Sequence, residues 1–313
     1  MHISWQGRLL TLIFRMQHTF ARSKDKVDLK KERAELEKLG STFKPLAPID
    51  CVKELANGVP AEWITTPDSL AHRVVLYLHG GSYVSGSINS HRSLAANIAQ
   101  AAKARVLIID YRLAPEHPFP AALEDAVAAY SWLITNHTAP EHISIAGDSA
   151  GGGLAVALLV RLRDLGMPMP AAAVCLSPMT DHTFSGESWK TNARTDIVIY
   201  PKKEREFTRL YLGGTDPHEP LASPQYADLS GLPPLLIQVG SHEVLLSDSR
   251  RLAKQARAAG VDVMLDEWEG MQHVWQFAAS FIPEGRKAIG RIGEFIQKHS
   301  PPREKNNPFP FPS

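Results

Sequence analysis

A serine can attack a carbonyl carbon only where a base takes its proton and nearby donors meet the charge that develops on oxygen. The 313-residue sequence places Ser149 in a setting of that kind. In Ile143-Ser144-Ile145-Ala146-Gly147-Asp148-Ser149-Ala150-Gly151-Gly152-Gly153 an apolar run meets Gly-x-Ser-x-Gly and passes into an alanine- and leucine-rich stretch. The pattern predicts a strand, a tight turn carrying Ser149, and a helix whose free N-terminal amides favour negative charge. Small residues at 147 and 151 suit a strained turn where larger side chains would collide. Neither a Walker lysine nor a G-x-G-x-x-G accompanies the glycines, which argues against phosphate binding.

Leu76-Tyr77-Leu78-His79-Gly80-Gly81-Ser82-Tyr83 ends an earlier apolar run in His-Gly-Gly, leaving amides open to a tetrahedral intermediate. Gly80, Gly81, Ser82 and Ala150 are the candidate oxyanion hole. Within it Gly81 and Ser82 are expected to donate, Gly80 to shape the loop, and the His79 ring to brace it. The base is expected after a late strand, and Glu269-Gly270-Met271-Gln272-His273-Val274-Trp275 supplies His273. His242 belongs to a different strand end and ranks lower. An orienting carboxylate should follow a strand between the serine and the histidine. Residues 235–248 offer Glu243, just past the strand, and Asp248, where a helix cap is the ordinary use. Glu243 is preferred, with Asp248 as its competitor.

The elements that must hold these residues alternate regularly. Apolar runs at 74–78, 105–109, 142–146, 172–176, 235–239 and 261–267 are separated by helical stretches at 90–103, 120–137, 150–165, 247–259 and 283–298. This predicts an α/β fold with a mostly parallel sheet covered by helices on both faces, its ligand site at the strands' carboxyl ends. Residues 50–55 and 61–65, flanking Ala-Asn-Gly, predict an antiparallel hairpin at one sheet edge. Residues 1–48 and about 181–224 break the alternation and are expected to be helical excursions forming a lid over 49–300. Residues 301–313 are expected to be a loose tail, with Phe309 and Phe311 its sticky residues. In the N-terminal stretch Trp5, Leu9, Leu12, Ile13 and Met16 share one helical face, expected to pack on the protein rather than on a membrane surface.

Composition narrows the function classes. With 34 Lys+Arg against 33 Asp+Glu the net charge is +1, which gives no electrostatic reason for a nucleic-acid partner. The apolar core at 9–14 is far too short to span a bilayer. Cys51 and Cys175 form neither a disulfide framework nor a zinc spacing, a pattern that suits a reducing cytoplasm.

Taken together, His79-Gly80-Gly81, the run Tyr111-Arg112-Leu113-Ala114-Pro115-Glu116-His117-Pro118-Phe119-Pro120-Ala121-Ala122, Gly147-Asp148-Ser149-Ala150-Gly151-Gly152 and Gly270-Met271-Gln272-His273 resemble the bacterial hormone-sensitive-lipase-like esterases (family IV) of the α/β-hydrolase fold. The resemblance covers roughly residues 45 to 300. It implies an eight-stranded sheet, a Ser149, Glu243 and His273 triad, a helical cap, and an Asp125 that braces loops near the site. Two departures stand out: Ser82 replaces a third loop glycine, and Glu243 stands where many relatives carry aspartate. The expectation is a cytoplasmic serine carboxylesterase for short- to medium-chain acyl esters, with no metal or organic cofactor and a small-molecule ester as its partner. Homodimerisation stays open. Rival expectations are a lactonase or small-metabolite deacetylase, a membrane-surface lipase, and a non-catalytic binder like the related gibberellin receptors, against which His273 argues.

Overall fold

Asn57 and Gly58 both adopt positive φ, 51° and 90°, the turn whose twist matches an antiparallel pair. In the computed structural model, which describes residues 3–21, 27–136 and 138–301, β1 (Asp50–Ala56) and β2 (Val59–Thr65) therefore form the expected hairpin. Six further strands follow: β3 (Leu70–Leu78), β4 (Ala104–Ile109), β5 (Ile143–Asp148), β6 (Ala172–Leu176), β7 (Leu235–Gly240) and β8 (Val263–Trp268). The sheet order is β1-β2-β4-β3-β5-β6-β7-β8. Strand β2 pairs antiparallel with β1 and β4, and every other pair is parallel.

The alternation of side chains along β3 separates two cores. Val74, Leu76 and Leu78 pack with α4 (Ala121–Thr135), α5 (Ala150–Asp164) and α8 (Leu246–Ala258), whereas Val75 and Tyr77 pack with α3 (Ile88–Ala102) and α9 (Pro283–His299). Both faces are thus buried, which is why the parallel strands read as continuous apolar runs. The order β4-β3-β5 makes the chain reverse its direction across the sheet beside β3. Ligands of open α/β sheets bind outside the strand carboxyl ends at such a reversal.

The remaining helices are α1 (Trp5–Ala21), α2 (Leu29–Thr42), α6 (Ser188–Thr191) and α7 (Pro201–Leu212). Helix α1 corrects an expectation. Its stripe faces outward, with Trp5 71% exposed and Leu9, Leu12 and Ile13 exposed as well. The inward side is instead Gly7 and Leu10, and the attachment is polar at its start: Ser4 N and Oγ donate to the Glu284 carboxylate at 2.6 and 2.9 Å. A Cβ at Gly7 would lie 3.6 Å from Glu284 Oε2, an ordinary contact distance, so this glycine sits directly over the Glu284 carboxylate. The Met16 side chain and residues 302–313, which hold Phe309 and Phe311, lie outside the described residues. Among the described residues no helix is long and apolar enough to cross a membrane.

Helix α2 lies against α3 through Gly40, where a Cβ would fall 2.2 Å from the Ser90 carbonyl oxygen. Gly40→Ala is expected to lower stability by about 1–3 kcal/mol through overpacking, read as a reduced urea midpoint at constant m. An unchanged midpoint would show that α2 can shift away without loss.

Candidate active site

Strand β5 enters α5 through a turn that only two glycines allow. A Cβ at Gly147 would lie 2.2 Å from the Gly151 carbonyl oxygen, and one at Gly151 only 2.0 Å from that of Leu78. Between them Ser149 takes φ 53° and ψ −121°, a conformation costly for a residue with a Cβ and typical of functional turns. Its amide donates to the Leu176 carbonyl at 2.8 Å and its carbonyl accepts from Met179 N at 3.0 Å. Backbone from the end of β6 thus locks the turn.

The loop after β3 lies beside it. Gly81, Ser82 and Tyr83 all have positive φ, and the amides of Gly81, Ser82 and Ala150 have no acceptor among the described residues. Gly80 is different, because its amide donates to Asp148 Oδ1 at 3.1 Å with His91 Nε2 at 3.2 Å. The Gly80 N–H is thus already committed, and within the candidate oxyanion hole this residue holds the loop, as expected, while Gly81, Ser82 and Ala150 keep free amides. A Cβ at Gly80 would strike Asp148 Oδ2 at 2.3 Å. Tyr77 donates to Asp148 Oδ1 at 2.7 Å, and Tyr111 donates to the His79 carbonyl at 2.6 Å. The His79 ring stacks on Tyr111 at 4.1 Å and its Nδ1 lies 2.8 Å from the Gly80 carbonyl oxygen. Burial holds that imidazole down at about 3, so it stays neutral. Asp125 accepts from Arg112 N at 2.8 Å and from Arg112 Nε at 2.9 Å, which pins the chain just after Tyr111.

His273, in the loop after β8, sits with Nδ1 2.9 Å from Glu243 Oε2. Because a carboxylate only accepts, Nδ1 carries the proton and Nε2 is left as the basic nitrogen. The other Glu243 oxygen accepts from Ser177 Oγ at 2.8 Å and Gly240 N at 2.5 Å, so this fully buried acid is satisfied on both sides. Burial lowers the His273 pKa, but the hydrogen bond and charge of Glu243, with Asp196 and Asp148 farther off, outweigh it and leave the imidazole above its ordinary value.

Asp248 goes elsewhere. It is buried on α8, accepting from Thr180 N and Trp189 Nε1 at 3.3 Å each, and shares no hydrogen bond with His273. His242 has its Nδ1 3.4 Å from Gln272 Nε2, on the far side of Glu243 in the chain.

Ser149, His273, Gly81 and Ser82 line one cavity of about 300 Å³. Its other walls come from α1 (Leu10), α2 (Leu36, Leu39), Phe43 and the segment between β6 and β7 (Ile197, Ile199, Phe207). Lys203 of α7 bridges to Glu32 of α2 at 2.5 Å, joining two of these walls. The segment is also tied to the acid loop: Asn192 Nδ2 donates to the carbonyls of Ser241 and Glu243 at 2.9 and 2.8 Å, and Asp196 Oδ2 accepts from Val244 N at 2.9 Å. Burial raises Asp196 to about 6, although His273 and the amides it accepts from oppose the rise. Asn192, Asp196 and Glu204 received no role from sequence, since in a polar insertion they read as solvated residues, and Ser177, just past β6, carries no motif. A partial signal existed for Asp148 and His91: the first lies inside the serine motif, the second inside an alanine-rich helix.

A family model described as alpha/beta hydrolase fold matches residues 75–277. An esterase from the bacterial hormone-sensitive lipase family, solved as a crystal structure, superimposes with a TM-score of 0.91 at 48% identity, over 96% of this chain and 100% of that one. The chain belongs to the hormone-sensitive-lipase-like esterases of the α/β-hydrolase fold. Within this family it is 51% identical to an acetyl-hydrolase of Streptomyces hygroscopicus, over 76% of this chain and 79% of that protein. It is 37% identical to an esterase of Acinetobacter venetianus, over 76% and 78% respectively. Family membership makes it a carboxylic ester hydrolase.

Asp248 allows a test separate from catalysis. Burial, with Asp181 nearby, pushes its carboxyl up to about 8. An acid held protonated in the folded state contributes stability that is full below its unfolded pKa, about 4, and is lost as pH rises through its folded value. Asp248→Asn, which imitates the neutral acid, is expected to flatten the decline in thermal midpoint between about pH 4 and pH 8 while keeping ester hydrolysis. Turnover reduced a thousandfold would return Asp248 to candidacy as the orienting acid.

Proposed function

We propose that this chain is a serine carboxylesterase acting on short- to medium-chain acyl esters through Ser149, His273 and Glu243. The observation that carries the reading is the 2.9 Å hydrogen bond between His273 Nδ1 and Glu243 Oε2 beside a cavity that Ser149 also lines. His273 Nε2 takes the Ser149 proton as Oγ attacks the ester carbonyl carbon. The oxyanion accepts from the Gly81, Ser82 and Ala150 amides, aligned before the reaction begins. Collapse of the tetrahedral intermediate expels the alcohol, which takes the proton from His273. Water, deprotonated by His273, then attacks the acyl carbon, and the acid leaves as Ser149 Oγ takes the proton back from His273. Glu243 holds the tautomer and stabilises the imidazolium without taking the proton.

Helices α1 and α2 together with residues 181–224 act as the cap, excluding water from the attacked carbonyl. A cavity of about 300 Å³ lies at the small end of ligand sites, which supports short acyl chains. The unpaired Cys51 and Cys175 support a reducing cytoplasm as the compartment.

Hydrolysis of p-nitrophenyl esters from acetyl to dodecanoyl tests this reading. Ser149→Ala and His273→Ala are expected to lose on the order of 10⁵–10⁶ in kcat and Glu243→Ala on the order of 10³–10⁴, with turnover falling beyond the medium chains. A Ser149→Ala protein that keeps its turnover would end the proposal.

The pH profile gives a second test. The base works when neutral, and its pKa lies above the ordinary imidazole value, so kcat/KM should rise through an acid limb centred above about 6.5. Glu243→Gln removes the charge that favours imidazolium and is expected to move this limb to lower pH. A limb that stays in place would separate Glu243 from the titrating base.

A further inference from the structure

Glu204 is a buried acid that the mechanism does not use. It projects from α7 into the cavity lined by Ser149 and His273 and is 5% exposed. Its Oε2 accepts from Ser82 Oγ at 3.0 Å, but its Oε1 is buried with no hydrogen-bond partner. It makes no ion pair among the described residues, and its neighbour Lys203 is committed to Glu32. Burial raises its carboxyl to about 7, against the pull of the Ser82 hydroxyl, His273 and Lys203, while Asp196 adds to the rise.

A buried carboxyl oxygen with no partner in the chain is costly, and a donor from outside the chain, a water or a ligand group, offsets that cost. Its partner Ser82 is the residue that follows Gly80-Gly81 in the loop beside Ser149, and it lines the same cavity. The Ser82 hydroxyl engages Oε2 and leaves Oε1 without a partner on a side chain that lines the cavity. The surrounding wall is largely apolar, through Leu36, Ile199 and Phe207. One acceptor in such a wall selects strongly, because a ligand that fails to satisfy it leaves it desolvated and unpaired.

We propose that Glu204 and Ser82 form a polar subsite that receives a hydrogen-bond donor carried by the ester itself, a hydroxyl or a primary ammonium on its acyl or alcohol portion. The assignment deepens the esterase reading and rests on it. Glu204 acts here as a specificity determinant, not in bond breaking. A hydroxyl donates to Oε1 whether Glu204 or a neutral amide stands there, whereas an ammonium needs the charge.

The test compares ethyl butyrate with ethyl 3-hydroxybutyrate, ethyl 3-aminobutyrate and 2-hydroxyethyl butyrate, followed by pH-stat at pH 8. At least one donor-bearing ester is expected to exceed ethyl butyrate in kcat/KM by roughly 10- to 100-fold in the wild type, and Glu204→Leu should bring the ratio close to one. Glu204→Gln keeps the preference if the donor is a hydroxyl and loses it if the donor is an ammonium. Glu204→Ala serves the same comparison should the leucine variant not fold. Calorimetric binding of the same esters to Ser149→Ala repeats the comparison without turnover. Equal affinity for all four esters there, or a preference that survives Glu204→Leu, overturns the subsite. Full turnover by Ser149→Ala would instead overturn the underlying esterase mechanism, so the two failures are distinguishable.

Discussion

The geometry of this site depends on one close approach of backbone to backbone. The start of α5 lies so near the end of β3 that a single carbon at Gly151 would sit 2.0 Å from the Leu78 carbonyl oxygen. That contact sets the Ser149 turn beside the His79–Ser82 loop. Hydrogen bonds could not substitute for it, because they tolerate displacements of several tenths of an ångström whereas steric contact does not. The strain at Ser149 persists because backbone at and just after the end of β6 holds the turn from the other side, through the Leu176 carbonyl and the Met179 amide.

Around this contact the polar groups form two separately satisfied networks. Asp148 gathers Tyr77, Gly80 N and His91 beneath the His79–Ser82 loop, and its pKa stays below the ordinary value even though burial opposes it. Glu243 gathers Ser177, Gly240 N and His273 under the candidate base. Each acid fixes a loop by accepting a backbone amide as well as side-chain donors, so loop position and electrostatics are set by the same groups. Asn192 and Asp196 extend the second network into the segment between β6 and β7, so the cavity wall and the acid loop are held as one piece. Among the described carboxylates, Glu204 is the one with a buried oxygen, Oε1, that lacks a hydrogen-bond partner.

Much of this was legible in the sequence, for a local reason. Parallel strands buried on both faces must be apolar throughout, helices between them must carry an apolar stripe, and the turns need glycine, so the eight strands and their covering helices could be placed within a few residues. The serine turn, the histidine loop and the acid after β7 were legible because each follows a strand end, where such a sheet gathers its ligand site. What stayed hidden was long-range. Asn192, Asp196 and Glu204 are ordinary polar residues until an insertion folds back and buries them, and burial is a property of neighbours distant in the chain. The outward turn of Trp5 and Leu9 was hidden likewise, because amphipathic spacing shows that a helix has two sides but not which side finds a partner.

The sequence by itself determined the α/β architecture, the strand ends at which the chemistry gathers, and the residue types available there, since these follow from periodicity, turn geometry and chain order. Tertiary structure alone decided which of two acids meets His273, that the Gly80 amide is already taken, and which cavity-lining acid keeps an oxygen unpaired. The physical reason is that hydrogen bonding and desolvation act over about 3 Å in space whatever the separation in sequence, so thirty residues of chain from Glu243 to His273 close into one bond while Asp248, five residues farther along than Glu243, is turned to a different partner.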